Sequence, residues 1–377
     1  MRKNMFYYVK RFGSFTLSQL PFNEVDALIL SELSYMDFCG LVHTIREDME
    51  PVDFLSLNSE NLLKQMTANT LAEPDNAKLM KMMFETERYK NMKLNFYRSR
   101  FDADLELQFS AIVFIFEECN FVAFRGTDAT IIGWKEDFNM SFLDVVPSQK
   151  QCLLYLEKIA HKLTGKLYLG GHSKGGNLAC FAGIYTQKSI QDRIEKIYDF
   201  DGPGFKYDIF DSPNYKRVEH KIKKYVTRDS MIGVIMHFVE NYEVVRCYGV
   251  SLMQHAPFRW MVTDEGKLDT TETTSFNCKV FARAVKDWML CYTDEERSKV
   301  IDIWFDLLSA SEKSTVIEFK WQVLRCIKMI RKRYKQLDPE TVVYLKKTMR
   351  QYWNIYFYNR ELMKDERKRA RKMGRKY

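Results

Sequence analysis

One short motif carries residue types that can perform nucleophilic chemistry. Residues Gly171–Gly175 spell Gly-His-Ser-Lys-Gly, between a predicted strand, Lys166–Leu169, and a predicted helix, Asn177–Tyr185. A nucleophilic serine needs a sharp strand-to-helix turn, small neighbours that permit close packing, and helix N-terminal N–H groups for a developing oxyanion. The motif therefore predicts Ser173 as a nucleophile. The alternative is a glycine-rich turn that serves tight packing alone.

A nucleophilic serine requires a base, and three histidines follow it in the chain. His220 lies in a stretch rich in Lys and Arg, and His237 lies in an apolar run where a packed histidine is the simpler explanation. His255 follows a predicted strand at 243–248, in a loop. Loops after the late strands are where such a base belongs. The order favours His255, and the alternative is a loop histidine with a local hydrogen bond.

The base needs an acid to orient it, and two aspartates follow predicted strands. Asp229 comes just after the strand Ile222–Val226, and Asp201 ends the strand Ile194–Phe200. Both sit at the carboxyl ends of strands, where open sheets collect their site residues. Asp201 lies in an Asp-Gly-Pro-Gly sequence that is also a good turn. This favours Asp229 as the acid and leaves Asp201 as its rival.

A second oxyanion donor is expected in a loop after an early strand. The strand Phe121–Phe124 leads into Arg-Gly-Thr-Asp, in which glycine allows close backbone approach and Thr127 offers an N–H and a hydroxyl. The alternative is a strand-ending turn with Asp128 as a helix cap, and taken alone it is the stronger interpretation.

These residues need a scaffold, and the hydrophobic pattern predicts one. Helical spacing covers Pro21–Phe38 and residues 76–90, and a hairpin follows at 105–124. Strands then alternate with helices as far as residue 277, which predicts an α/β fold with a mostly parallel, doubly wound sheet. We expect one domain over 1–277, including a helical lead-in at 20–90, and a helical appendage over 278–363.

The charge of the chain is concentrated at its end. The net charge is +8, and residues 364–377 hold eight Lys and Arg against Asp365 and Glu366, which is +6 of that total. We expect a basic tail that is solvated, with an anionic membrane surface as its possible partner. No specific nucleic acid is expected.

The remaining composition bears on compartment and cofactors. The eight cysteines are scattered without a Cys-x-x-Cys pair, which fits a reducing cytoplasm better than an oxidising compartment. Neither a signal peptide nor a membrane-spanning run is indicated. Nucleotide phosphate loops and metal-ligand spacings are lacking as well, so no cofactor and no metal is expected.

Several motifs together resemble a known group of proteins. Phe124–Thr127 followed by Gly-His-Ser-Lys-Gly-Gly resembles the class 3 lipases, and is more similar still to a bacterial lipase-like family of α/β-hydrolases of uncharacterised function. Further shared motifs are Trp134–Phe138, Asp201–Gly204, Asp229–Gly233 and Gln254–Phe258. The resemblance covers roughly residues 20–262.

The resemblance implies an α/β-hydrolase fold and an esterase or lipase acting on a small-molecule or lipid ester through an acyl-enzyme. Ser173, Asp229 and His255 would form the triad, with Thr127 and the backbone N–H of Lys174 as the oxyanion hole. Lys174 departs from the apolar residue usual in class 3 lipases, and a cation there would favour an acidic or phosphorylated substrate. The alternative function is a binding or scaffold protein that retains the fold without activity.

Overall fold

A mixed nine-stranded sheet organises the part of the chain described by the computed structural model, which comprises residues 2–46, 49–128, 131–207, 209–238, 241–309 and 323–372. The strands are β1 (Val52–Asp53), β2 (Lys93–Asp102), β3 (Leu107–Ile115), β4 (Asn120–Phe124), β5 (Leu167–His172), β6 (Ile194–Phe200), β7 (Ile222–Thr227), β8 (Tyr242–Val245) and β9 (Thr270–Thr271). The helices are α1 (Met5–Phe12), α2 (Glu24–Leu33), α3 (Glu60–Thr67), α4 (Glu73–Phe84), α5 (Ile131–Asn139), α6 (Pro147–Ala160), α7 (Lys174–Tyr185), α8 (Lys188–Arg193), α9 (Pro213–Val218), α10 (Phe276–Leu290), α11 (Asp294–Ser309), α12 (Val323–Tyr334) and α13 (Pro339–Lys372).

The strand order corrects one expectation from the sequence. The strands lie in consecutive order, antiparallel from β1 to β4, parallel from β4 to β8, and antiparallel again at β9. A doubly wound sheet reverses its strand order at a switch point, and this sheet does not. The fold is α/β as predicted, but its sheet is neither mostly parallel nor doubly wound.

One face of the sheet is covered by the helices that connect its parallel strands. Helices α6, α7 and α9 follow β4, β5 and β6 in turn. Right-handed crossovers that advance in one direction place their helices on the same face. Leu156 and Leu178 accordingly share a buried cluster with the strand residues Phe124, Leu169 and Ile197.

The opposite face is covered by the N-terminal helices. Val25 and Leu28 of α2 are fully buried in a second cluster with Phe121 of β4 and Phe200 of β6. A capping box fixes the start of α2: the Asn23 side chain accepts from backbone N–H groups of the first turn and the Asp26 carboxylate from the Asn23 N–H. The predicted helical lead-in therefore covers this second face of the sheet. In a doubly wound sheet, helices of the crossover connections would cover it.

The C-terminal helices pack together and against the sheet domain. Trp288 Nε1 of α10 donates to the Thr348 carbonyl of α13 across 3.2 Å. Lys206 lies 2.5 Å from Asp294 at the start of α11. Residues 364–372 of the expected tail extend helix α13, and 373–377 lie outside the described residues. The domain boundaries stay predictions. No helix in the described ranges combines the length and the apolar character needed to cross a membrane.

Candidate active site

Ser173 occupies the sharp turn between β5 and α7. Its backbone has φ +57° and ψ −133°, a conformation that non-glycine residues rarely adopt. The Ser173 N–H donates to the Phe200 carbonyl of β6 across 2.9 Å, which ties the turn to the neighbouring strand. The hydroxyl makes no capping hydrogen bond to helix α7. The strained backbone thus presents a hydroxyl that is not used as a helix cap.

The glycines on either side of Ser173 are required by close backbone contacts. A Cβ at Gly171 would lie 2.4 Å from the carbonyl carbon of Gly175, and a Cβ at Gly175 would lie 2.1 Å from the carbonyl oxygen of Phe124. Real Cβ atoms do not approach backbone this closely, so any side chain would force the turn open. The motif is therefore explained by packing as well as by chemistry.

His255 is paired with Asp201. The imidazole Nδ1 donates to Asp201 Oδ2 across 2.7 Å, and Ser230 Oγ donates to the other carboxylate oxygen across 2.6 Å. The Asp201 side chain is fully buried, while that of His255 is 19% exposed. Burial alone would raise the pKa of Asp201, but the hydrogen bond and charge of His255, with the Ser230 hydroxyl, hold this pKa below its ordinary value. The acid is therefore a carboxylate that orients the imidazole.

The pairing of His255 with Asp229 expected from the sequence is wrong. Asp229 instead contacts Gln254: its N–H donates to Gln254 Oε1 across 2.9 Å, and its carboxylate accepts from Gln254 Nε2 across 3.0 Å. The pairing differs because the Asp229 carboxylate accepts from the Gln254 side chain, whereas Asp201, directly after β6, contacts the imidazole. Asp229 acts one residue away from the imidazole, by holding the loop that carries His255.

His172 contacts both the backbone and the ring of His255, a role that the sequence interpretation missed. Its Nε2 donates to the His255 carbonyl across 2.7 Å, and the two ring centroids lie 4.4 Å apart. Tyr35, just after helix α2, donates its hydroxyl to His172 Nδ1 across 3.1 Å. Burial, followed by the charge of His255, lowers the pKa of His172 to about 3. A neutral imidazole directly before Ser173 thus helps to fix the position of His255, and the His within the Gly-His-Ser motif was the available signal.

Thr127 lies in the loop after β4, as predicted, and is buried. Its hydroxyl donates to Asp137 Oδ2 of helix α5. Burial raises the pKa of Asp137 to about 6, although Lys174 and the Thr127 hydroxyl both act to lower it. A hydroxyl that donates to Asp137 has no second proton to donate, which leaves the Thr127 backbone N–H as the donor for an oxyanion.

The charge of Lys174 is buried and paired. Its side chain is fully buried, with Nζ 2.9 Å from Glu136 Oε2 and 3.0 Å from the carbonyl and the amide oxygen of Gln108. Asp137 Oδ1 lies 3.7 Å from the same nitrogen. The expectation of a cation that selects an acidic or phosphorylated substrate is therefore wrong. The backbone N–H of Lys174 remains in the first turn of α7, where helix N–H groups have no intrahelical partner.

The other two histidines that follow Ser173 in the chain are His220 and His237. His220 is exposed in a short 3-10 helix, and His237 pairs through its backbone with Phe205. Within the described residues, no three His, Cys, Asp or Glu side chains are grouped so that they could hold a metal ion.

Comparison with known proteins assigns the chain to one family. The Mbeg1-like family model matches residues 83–306, more than half of the chain. The chain belongs to the Mbeg1-like family. Membership confirms the expected lipase-like relation and leaves a bacterial source and a class 3 relation as predictions.

Two solved lipases are similar to this member of the family. The native propeptide complex of Rhizomucor miehei lipase is 15% identical, with a TM-score of 0.32 over 44% of this chain and 68% of that chain. M37 lipase is 17% identical, with a TM-score of 0.37 over 56% of this chain and 70% of that chain. Similarity at this level defines no activity for this chain. No curated protein matches it.

Proposed function

We propose that this Mbeg1-like protein is a serine hydrolase of the α/β-hydrolase type that cleaves carboxylic esters. The observation that carries the proposal is the 2.7 Å hydrogen bond between His255 and the buried carboxylate of Asp201, beside the strained turn of Ser173. Imidazole bound to carboxylate through Nδ1 keeps its Nε2 lone pair available as a base. The triad in this proposal is Ser173, His255 and Asp201.

The proposed reaction has two halves. The Ser173 Oγ attacks the ester carbonyl while His255 Nε2 takes the hydroxyl proton, and Asp201 stabilises the resulting imidazolium. Collapse of the tetrahedral intermediate breaks the bond to the alcohol, which leaves with the proton from His255. Water then attacks the acyl-enzyme with His255 again as base, which releases the carboxylic acid and restores Ser173.

The oxyanion hole in this mechanism consists of backbone donors. The N–H groups of Thr127 and Lys174 would stabilise the negative charge that develops on the carbonyl oxygen. The side chains of both residues are anchored. The Thr127 hydroxyl donates a hydrogen bond to Asp137, and Lys174 forms an ion pair with Glu136. Fixed donors need no reorganisation during the reaction, which is the condition for strong electrostatic catalysis.

An apolar acyl group is the substrate feature that the surroundings favour. Val250, Leu252 and Met253 are 67%, 52% and 51% exposed and lie two to five residues before His255 in the chain. With its charge buried and paired with Glu136, Lys174 does not favour an anionic ester. We propose a small-molecule or lipid ester as substrate, in a reducing compartment such as the cytoplasm, where the cysteines stay free.

The basic segment 364–377 is a second proposed contact, to an anionic membrane surface. Binding to vesicles that contain phosphatidylserine should weaken as salt rises, because salt screens exposed charges. Unchanged binding after deletion of the segment would refute this contact.

A fluorophosphonate probe tests the proposed function directly. We expect single-site labelling at Ser173, because only an activated serine attacks the phosphorus. Labelling should be absent in Ser173→Ala and strongly slowed in His255→Ala, and short-chain aryl esters should be hydrolysed by the wild type alone. Ser251→Ala is a matched control, since this exposed serine lies near His255 in the chain.

The competing function is a binding or scaffold protein that has kept the fold without the chemistry. A folded wild type that takes no probe, cleaves no ester and behaves like His255→Ala would establish the scaffold function.

A further inference from the structure

A cavity lies along the edge of the sheet that also carries Ser173 and Asp201. Arg228 follows β7 directly and Arg246 follows β8, and these two strands are parallel. The open cavity between their ends has a volume of about 720 Å³ and is bordered by the segment from β9 to α10 and by Arg367 of helix α13. The carboxyl edge of parallel strands is where α/β sheets bind ligands. Neither Ser173 nor His255 lines this cavity, so it is separate from the proposed active site.

The lining of this cavity is strongly basic. Arg228, Arg246, Lys279 and Arg367 come from four separate parts of the chain and face one acidic residue, Glu272. Arg246 is offset by Asp269 at 3.3 Å, whereas Arg228 forms no ion pair within the described residues. A concave site lined by one sign of charge concentrates ligands of the opposite sign.

Two contacts join the elements that carry these residues. The Ser275 N–H donates to the Arg228 carbonyl across 2.8 Å, which joins the end of β7 to the start of α10. The Arg367 guanidinium lies 5.9 Å from the centre of the Phe276 ring, a cation–π contact that fixes helix α13 beside the same point. The basic walls are thus assembled by the fold and not by a single flexible segment.

We propose that this cavity binds a phosphate monoester. Three guanidinium groups match the oxygens and the double charge of such a group better than they match a carboxylate. Threonines 271 and 273 add hydroxyl groups to the wall. The volume exceeds that of phosphate alone and leaves room for an attached organic group. The ligand is either a free phosphorylated molecule or the headgroup of a lipid.

Calorimetric titration of the full chain with glycerol 3-phosphate tests the soluble ligand, and flotation with phosphatidylcholine vesicles containing phosphatidic acid tests the lipid. We expect binding at one site, weakened by about tenfold in Arg228→Gln and in Arg246→Gln, because each loses a charged hydrogen bond. Both arginines are exposed, so the variants should fold. Arg350→Gln is the matched control, because it removes the same charge from an exposed position of α13 outside both the cavity and the basic segment 364–377.

The two titrations distinguish the sources. Binding of glycerol 3-phosphate supports a soluble ligand, and binding of phosphatidic acid vesicles alone supports a lipid headgroup, provided that Arg228→Gln weakens it. No binding of either probe overturns the proposal. Equal weakening in Arg350→Gln overturns it too, because the binding would then reflect the general charge of the helix.

Discussion

His255 donates to Asp201 across 2.7 Å, although 54 residues separate the two and Asp229 lies nearer in the chain. The two aspartates follow neighbouring parallel strands, β6 and β7, and their carboxylates do different work. Asp201 contacts the imidazole of His255, and Asp229 contacts Gln254, the residue that precedes His255.

Exchange of each aspartate for asparagine separates these roles. Asp201→Asn should reduce the rate of ester hydrolysis and probe labelling by up to ~10⁴-fold, the loss that this change causes in a serine protease triad, because the amide favours the wrong imidazole tautomer. Asp229→Asn should keep most of the rate, since an amide oxygen still accepts from Gln254. The assignment fails if Asp229→Asn is the more damaging change in measured kcat/KM.

The buried pair of Lys174 and Glu136 predicts an effect on stability. Lys174→Met removes a fully buried cation and leaves Glu136 uncompensated, which should lower the free energy of unfolding by about 3–5 kcal/mol. The double variant Lys174→Met with Glu136→Gln should recover part of this loss, because the lone buried charge is gone. Urea unfolding of the two single variants and the double variant measures the coupling, and strict additivity would contradict it.

The pKa of His172, lowered to about 3, predicts a pH dependence of stability. An unfolded histidine titrates near 6.5, so between about pH 6.5 and pH 3 the unfolded chain binds a proton that the folded chain does not. The wild type should therefore lose up to about 1.4 kcal/mol of stability per pH unit as pH falls through this window. His172→Gln lacks this contribution and should show a shallower slope.

Comparing the pH dependence of stability in the wild type and in His172→Gln isolates the contribution of His172. Asp137, whose pKa is raised to about 6, binds its proton preferentially in the folded state and so contributes a slope of opposite sign between about pH 6 and pH 4 in both. Equal slopes for the wild type and His172→Gln in urea titrations would exclude a buried neutral His172.

Local patterns predicted the parts of this site that local geometry determines. The turn at Ser173 requires glycines within two residues of it, so a short sequence motif is enough to predict the turn. The loop position of His255 followed from the order of strands. The strand Lys93–Asp102 was missed because its alternation is interrupted where the register shifts between Asn95 and Arg98.

Contacts that depend on side-chain direction were beyond the sequence. Asp201 and Asp229 both follow strands, and periodicity does not tell which carboxylate contacts the imidazole, because that contact joins residues 54 positions apart. The buried direction of Lys174 depends on Glu136 in another helix, 38 residues away. A charge counted from sequence says nothing about the partner that neutralises it.

The layer formed by the N-terminal helices has a practical consequence for choosing fragments of this protein. The family match begins at residue 83 and includes Ser173, Asp201 and His255, so it looks like a sufficient piece to express. It omits α1, α2, α3 and nearly all of α4, whose apolar side chains cover Phe121 and Phe200. It also omits Tyr35, the partner of His172. A fragment cut at the family boundary would carry every residue of the proposed triad on a sheet with one bare apolar face, a surface prone to aggregation.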